Sequence, residues 1–143
     1  MGILTKEKKG NLILFNTNKN CSFLQDLKSL FEKIEGIITK ITDKIRKTHG
    51  ITYALIFGSA ALGRASEKSD IDILVIGSIE ENNFSKSIFK VQKKVKREIN
   101  FILWTEPDLK KKIKEQSTFL KNIATNKYIW IKGDMDEFIR ITK

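Results

Sequence analysis

The chain has 143 residues, of which 41% are apolar and 31% charged, and its formal net charge is +10. This length suits one ordinary domain with a single core, and no apolar run approaches the roughly 18 residues that a membrane helix requires. With one cysteine (Cys21) and one histidine (His49), an internal disulfide is impossible and a zinc site is nearly excluded. We therefore expect a cytoplasmic domain without membrane contact, in which any metal is Mg²⁺ or Mn²⁺ held by oxygen ligands.

The charge and the start of the chain add two weaker expectations. The opening segment MGILTKEKKGN has lysines after too short an apolar stretch to be a secretory signal peptide. The positive charge would attract a triphosphate, a nucleic acid or an acidic protein. An ordinary surface rich in lysine explains the same charge equally well, so the charge alone does not decide the function.

The first predicted elements are a short strand at Leu12–Phe15 and a long helical stretch. From Phe23 onward the apolar residues recur at steps of three and four, which is helical spacing; they are Leu24, Leu27, Leu30, Phe31, Ile34, Ile38, Ile41 and Ile45. Gly36 is expected to break or bend this stretch into two helices, and His49-Gly50 to end the second. We assign residues 1–48 to an N-terminal strand and helical extension, and residues 49–143 to the main domain.

From residue 51 the pattern changes to short apolar runs that alternate with helices. Strands are predicted at Ile51–Phe57, Ile71–Ile76, about Glu98–Trp104 and Tyr128–Ile131. The helix between the second and third strands carries apolar residues on one face, namely Phe84, Ile88, Val91 and Val95. Two more helices are expected to begin near Thr105 and Ser117. The predicted fold class is α/β (α+β), with a small mixed sheet of about four strands flanked by helices.

The two aspartates at the start of the second strand form the first half of a candidate site. On a strand, alternate side chains share a face, so Asp70 and Asp72 project from one side while Ile71 and Ile73 face the core. Two carboxylates on one face repel each other unless a cation lies between them. A hard divalent cation fits, because Mg²⁺ prefers oxygen ligands and completes its shell with phosphates and water.

A glycine turn at the end of the preceding strand supplies the other half. Gly58 would let the backbone approach a ligand closely, and Ser59 would offer a hydroxyl and an N–H to an anion. Alone, Gly-Ser usually marks a turn, and Asp-x-Asp is often a solvated strand edge. At this spacing, on two adjacent predicted strands, the two halves together indicate a site for a metal-bound nucleoside triphosphate.

The spacing of Gly58-Ser59, ten further residues and Asp70-Ile71-Asp72 resembles the signature of the DNA polymerase β-like nucleotidyltransferase superfamily. Within it, the chain is similar to the minimal nucleotidyltransferases, and Gly63, Arg64 and Ser69 fit the same pattern. The later segments Arg97–Phe101, Thr105–Leu109 and Phe119–Asp134 look like a subfamily in which this domain follows a winged helix-turn-helix. The N-terminal strand and helix resemble the end of that winged domain and its connector.

The resemblance implies transfer of a nucleoside monophosphate from a nucleoside triphosphate, ATP being expected, to a hydroxyl. Asp70 and Asp72 would bind two Mg²⁺ ions as catalytic metal ligands, and Gly58 and Ser59 would hold the β- and γ-phosphates. The expected nucleotide-binding set also includes Gly63, Arg64 and Ser69, although Arg64 fits an ordinary surface arginine as well. The acceptor would lie on a protein partner, as when such domains act as antitoxins on a helical toxin, on a small molecule or on an RNA end.

One position departs from the family pattern. The family's third carboxylate, on a later strand, helps to bind the metal that activates the acceptor, and Asn100 stands there in this chain. An asparagine can coordinate through its carbonyl oxygen but supplies no negative charge. Two alternatives stay open: Glu98, two residues earlier on the same strand face, substitutes for it, or the second metal is weakly held and transfer is slow or absent.

Two other functions therefore stand beside the enzyme. One is a catalytically weak, nucleotide-binding regulatory module linked to a DNA-binding or toxin-antitoxin partner, favoured by Asn100 and by the basic runs 90–97 and 110–114. Such runs are more often solvated helix faces. The other is a degenerate interaction domain, against which the intact aspartate pair argues. The N-terminal extension is a candidate for self-association as a homodimer.

Overall fold

The first described element is a β-hairpin, and the sequence patterns predicted only its second strand. The computed structural model describes residues 4–10, 12–18, 21–62 and 69–142, and the chain divides into two compact units, Met1–Thr39 and Lys40–Lys143. In the first unit, β1 (Leu4–Lys9) pairs antiparallel with β2 (Leu12–Thr17). The turn contains Gly10 at φ +63°, where glycine is favoured. Strand β1 was not predicted, because all six of its residues are exposed and lack an apolar pattern.

Helix α1 (Ser22–Arg46) is one continuous element of 25 residues. The predicted break at Gly36 is therefore wrong. A glycine inside a helix costs only about 0.5–1 kcal/mol relative to alanine, and the helical spacing of the apolar residues continues on both sides of it. The helix ends before Gly50, whose φ of +83° stops any helical continuation.

The second unit is a four-stranded mixed sheet with helices, in the order β5-β4-β3-β6. Neighbours β4 and β5 are parallel and are joined by the crossover helix α2, whereas β3 is antiparallel to both β4 and β6. The elements are β3 (Ile51–Phe57), β4 (Ile71–Gly77), α2 (Glu81–Val95), β5 (Ile99–Trp104), α3 (Glu106–Lys114), α4 (Thr118–Thr125), β6 (Ile129–Lys132) and α5 (Met135–Thr142). This architecture confirms the predicted α+β class. Helix α5 was not predicted.

The two faces of the sheet bury different sets of side chains. Tyr53, Leu55, Leu74 and Ile76 pack with residues of α3, α4 and α5, which are Leu109, Leu120, Ile123 and Phe138. Because strand side chains alternate, the intervening residues of the central strands face the other way. There the ring of Phe84 on α2 meets Phe101 edge to face, with ring centroids 5.0 Å apart.

No helix within the described ranges has the length and apolar character needed to cross a bilayer.

Candidate functional site

Three strands meet in one row of side chains at the edge of the sheet where β3 ends and β4 and β5 begin. Phe57 is the register partner of Asp72 in the antiparallel pair, and Asp72 is the register partner of Asn100 in the parallel pair. Asp72 is half-buried, whereas Asn100 is exposed. Alternation puts this row on the face that carries Leu55 and Leu74, the one covered by α3, α4 and α5.

Asp70 joins this row through a hydrogen bond. It lies immediately before β4 and is exposed, and its carboxylate oxygen Oδ2 accepts a hydrogen bond from the Asn100 amide nitrogen Nδ2 at 3.4 Å. Between the two aspartates, Ile71 is buried on the opposite side of the strand, with 2% of its surface exposed. Asn100 therefore donates a hydrogen bond to Asp70 and is the register partner of Asp72 on the neighbouring strand.

Gly58 brings the backbone against the second carboxylate. Its φ is +74°, and a Cβ built on it would lie 2.7 Å from Oδ2 of Asp72. A residue with a side chain at this position would have an unfavourable backbone conformation, and its Cβ would also clash with the carboxylate of Asp72. The Leu62 N–H donates to the Gly58 carbonyl at 3.2 Å, which closes one helical turn. The N–H groups at the start of such a turn, including that of Ser59, have no acceptor within it.

Arg97 holds the segment that leads into the aspartates. Its guanidinium donates two hydrogen bonds to the carbonyl of Ser69, from Nε at 3.1 Å and from a terminal nitrogen at 2.7 Å. Next to it, the Ile71 N–H donates to the carbonyl of Glu98 at 2.9 Å. From the sequence, Arg97 was assigned only to a basic run and to a segment that resembles the family. Its hydrogen bonds to Ser69, which precedes Asp70, depend on the register between β4 and β5.

The other predicted site residues have different outcomes. Glu98 precedes β5 and is exposed, but no three Asp, Glu, His or Cys side chains of the described ranges form a group that could hold a metal. The role of Glu98 in place of a third carboxylate stays a prediction. Gly63 and Arg64 lie outside the described residues.

The basic run 90–97 lies mainly on helix α2. Its apolar members Val91 and Val95 are buried, whereas Lys90, Lys93 and Lys94 are exposed. Lys93 also covers the exposed ring of Phe89, with its Nζ 4.6 Å from the ring centroid. This distribution is that of an amphipathic helix with a solvated face.

The fold agrees with a comparison against protein families. A family model described as a nucleotidyltransferase domain matches residues 38–131. The chain belongs to the nucleotidyltransferase domain family. The match includes the glycine turn, both aspartates and all of the four-stranded sheet except Lys132, the last residue of β6.

Two solved structures that are similar to this nucleotidyltransferase domain are toxin-antitoxin complexes. One, a toxin-antitoxin with AMP-PNP, is 17% identical with a TM-score of 0.53, over 73% of this chain and 79% of the other. A second, a mutant of the toxin-antitoxin MntA-HpeT, is 15% identical with a TM-score of 0.50, over 76% and 80%. At such identities the likeness establishes the fold. A comparison with curated proteins found no significant match.

Proposed function

We propose that this nucleotidyltransferase domain transfers a nucleoside monophosphate from Mg²⁺-bound ATP to a hydroxyl acceptor. The observation that carries the proposal is the meeting of three groups at one sheet edge: the Gly58 turn, the carboxylate of Asp72 against it, and the Asp70–Asn100 pair beside it. A turn for phosphates and carboxylates for a cation are the two requirements of a metal-triphosphate site.

The side chains at this edge suit a hard divalent cation. Asp70 and Asp72 offer carboxylate oxygens, and rotation of the Asn100 amide by half a turn would offer its carbonyl oxygen in place of Nδ2. No nitrogen or sulfur ligand is present among these three, which favours Mg²⁺ or Mn²⁺ over zinc. When bound, such an ion neutralises phosphate charge and stabilises the attacking and leaving oxygens of an in-line displacement.

The residues of the chain would each have a distinct task in the reaction. The N–H and hydroxyl of Ser59 would hold the terminal phosphates, and Gly58 would let the triphosphate lie against the backbone. Asp70 and Asp72 would fix the cation, and Arg97 would keep Asp70 in place through the Ser69 carbonyl. The acceptor hydroxyl gives up its proton to water and its oxygen forms a bond to the α-phosphorus, the bond from that phosphorus to the β-phosphate oxygen breaks, and pyrophosphate leaves.

ATP and a protein acceptor are the preferred choices for donor and acceptor. One similar structure is a toxin-antitoxin with AMP-PNP, an ATP analogue, which supports ATP as the nucleotide and a partner protein as the molecule that presents the hydroxyl. Gly63 and Arg64 stay in the proposal as further triphosphate ligands on the basis of the motif alone. A cytoplasmic location and self-association through the N-terminal extension are likewise expectations.

The first test is thermal unfolding with and without Mg²⁺-ATP. Ligand at about 100 times its dissociation constant stabilises the folded state by about 2.7 kcal/mol, which raises the melting temperature by several degrees. Asp72→Asn should abolish the rise. The matched control is Asp43→Asn, the same change at an exposed aspartate of α1, which should keep it. A rise that survives Asp70→Asn and Asp72→Asn alike would refute the proposal.

The second test is transfer of label from α-labelled ATP to a co-expressed partner protein. The wild type and Asp43→Asn should transfer label, and the Asp70→Asn and Asp72→Asn variants should not.

Asn100 favours one other function, the nucleotide-binding regulatory module without turnover, because this position lacks the negative charge of a third carboxylate. ATP binding without transfer would support that module, and salt-dependent binding of DNA would support its predicted link to a DNA-binding function.

A further inference from the structure

Strand β2 presents consecutive apolar side chains to water. Leu12, Ile13, Leu14 and Phe15 are 68, 50, 41 and 64% exposed. Because strand side chains alternate, two of them lie on each face of the β1–β2 hairpin, so both faces leave apolar surface uncovered. A hairpin of two strands is marginally stable by itself, and three or more strands with a buried apolar face give independent stability. The hairpin therefore lacks the further strands that would stabilise it.

The two edges of the hairpin differ in charge. Strand β1 carries Lys6, Glu7, Lys8 and Lys9, and charged side chains on an edge strand, above all lysines, oppose pairing with another strand. Strand β2 has the sequence LILFNT and no charge. The backbone N–H and C=O groups along an uncharged, apolar edge are a template for a further strand. A third strand would therefore add at β2 rather than at β1.

Strand β2 of a second copy has the properties that this edge requires in its partner, since it is itself apolar, uncharged and exposed. Antiparallel pairing of the two copies gives a sheet in the order β1-β2-β2-β1 about a two-fold axis. The two β1 strands then lie three strand spacings apart, about 14 Å, which exceeds the Debye length of about 8 Å, so their lysines repel each other little. An acidic strand at the same edge would instead place its carboxylates beside the apolar side chains of β2.

Helix α1 begins with apolar side chains that are also uncovered. Phe23 and Leu30 are 57 and 36% exposed, whereas Ile41 and Ile45 near the other end are fully buried. A typical interface uses about 20–30 residues of each partner, so the start of α1 would add residues that β2 alone lacks. In the sequence, the apolar residues of this helix recur every seven positions, the repeat by which helices pair; the series are Phe23-Leu30-Ile37, Leu24-Phe31-Ile38-Ile45 and Leu27-Ile34-Ile41.

We propose that unit Met1–Thr39 is the interface between two copies of this chain, in which β2 pairs antiparallel with β2 of the second copy and the start of α1 extends the contact. This inference goes beyond the proposed function and does not depend on it, because the interface uses none of the residues assigned to the nucleotide.

The first test is the mass of the full chain by analytical ultracentrifugation over a range of micromolar concentrations. The wild type should reach twice the mass of one chain. Ile13→Lys and Phe15→Lys each place a charge on the pairing strand of both copies and should raise the dissociation constant of the dimer about tenfold or more. The matched control is Phe89→Lys, the same change at a phenylalanine of α2 that is 52% exposed, and it should leave the constant unchanged. Circular dichroism checks that all three variants fold.

The second test detects the strand pairing itself. Two identical antiparallel strands about a two-fold axis place one residue opposite its own copy, with Cα atoms about 4.5–5.5 Å apart, which is within the disulfide range of about 4.4–6.8 Å. Single cysteines would replace residues 12 to 16 in turn, in a Cys21→Ser background that removes the free cysteine. One position should oxidise readily to a disulfide-linked dimer, and Ile141→Cys on α5, also exposed, should not.

A wild type that stays monomeric at every concentration would overturn the proposal. So would a dimer with the same dissociation constant in Ile13→Lys, Phe15→Lys and Phe89→Lys, because its interface would then lie elsewhere, or a cysteine scan without any linked dimer. If a monomeric wild type instead binds duplex DNA and loses that binding in Lys6→Gln and Lys8→Gln, the hairpin is a nucleic-acid surface and the proposal fails. None of these outcomes depends on whether the protein binds Mg²⁺-ATP.

Discussion

Replacing Gly58 with alanine tests the close contact on which the site depends. The left-handed conformation at φ +74° costs a residue with a Cβ about 1–2 kcal/mol. The new Cβ would lie 2.7 Å from Oδ2 of Asp72, whereas ordinary contact begins at 3.4 Å, so the carboxylate must move by about 0.7 Å. Forcing a side chain off its rotamer adds about 0.5–1.5 kcal/mol. Gly58→Ala should therefore destabilise the domain by about 1.5–3.5 kcal/mol.

Urea unfolding measures this loss, and two controls separate its parts. In an Asp72→Ala background the carboxylate is gone, so Gly58→Ala should cost only the backbone part, about 1–2 kcal/mol. Gly10→Ala has a similar φ of +63° but no atom within 4 Å of its Cβ, and it should leave the response to Mg²⁺-ATP intact. Gly58→Ala should abolish that response. A Gly58→Ala protein that is as stable as the wild type and still responds to ATP would refute the reasoning.

Two further predictions concern stability away from the site. Gly36→Ala should raise the free energy of unfolding by about 0.5–1 kcal/mol, because Gly36 is exposed inside a continuous helix with open space around it; helical circular dichroism and urea unfolding would show it, and a loss of helix would contradict it. Burial, and then the hydrogen bond to Glu137, raises the pKa of Tyr53 to about 12 from its ordinary 10.0. The folded protein therefore keeps this proton more tightly than the unfolded chain, and the contribution is complete below about pH 10 and lost as the pH rises towards 12. Urea midpoints over this range should fall less steeply for Tyr53→Phe than for the wild type, and parallel curves would contradict the assignment.

The sequence predicts the central strands well because each is a continuous buried run. Ile51–Phe57 matches the prediction residue for residue, and Ile71–Gly77 differs by one residue at its end. Runs of this kind can be recognised from their amino-acid composition alone. The exposed strand β1 and the short helix α5 cannot, because β1 is stabilised by pairing with its neighbour β2 rather than by burial, and α5 by packing of Phe138 against the distant sheet.

The contacts of the candidate site depend on register, which a single sequence does not reveal. That Asp70 and Asp72 share a side follows from strand alternation. That Asp72 lies beside Gly58 follows only from the antiparallel pairing of Phe57 with Asp72. The Arg97–Ser69 bonds follow only from the parallel pairing of β4 with β5. The local sequence pattern thus predicts which residue types form the site. The pairing of strands determines how those residues are arranged.

Asn100→Asp would place at position 100 the negative charge that the family pattern has there. Its effect on stability should change sign when Mg²⁺ is added. Without Mg²⁺, a carboxylate at this position would lie about 3.4 Å from the oxygen of Asp70 that the amide now contacts. Both groups are exposed, so the repulsion has the water-screened value of about 1 kcal/mol, and the variant should unfold at lower urea than the wild type.

With saturating Mg²⁺ three carboxylates would share one cation, so the same variant should gain more stability from Mg²⁺ than the wild type does. Asn83→Asp adds an equal charge on α2, away from the site, and should leave the Mg²⁺ response unchanged. If Asn100→Asp lowers stability equally with and without Mg²⁺, then no cation is held at this sheet edge. If instead Mg²⁺ affinity and label transfer both rise, then the neutral side chain at position 100 is what limits metal binding and turnover in this domain.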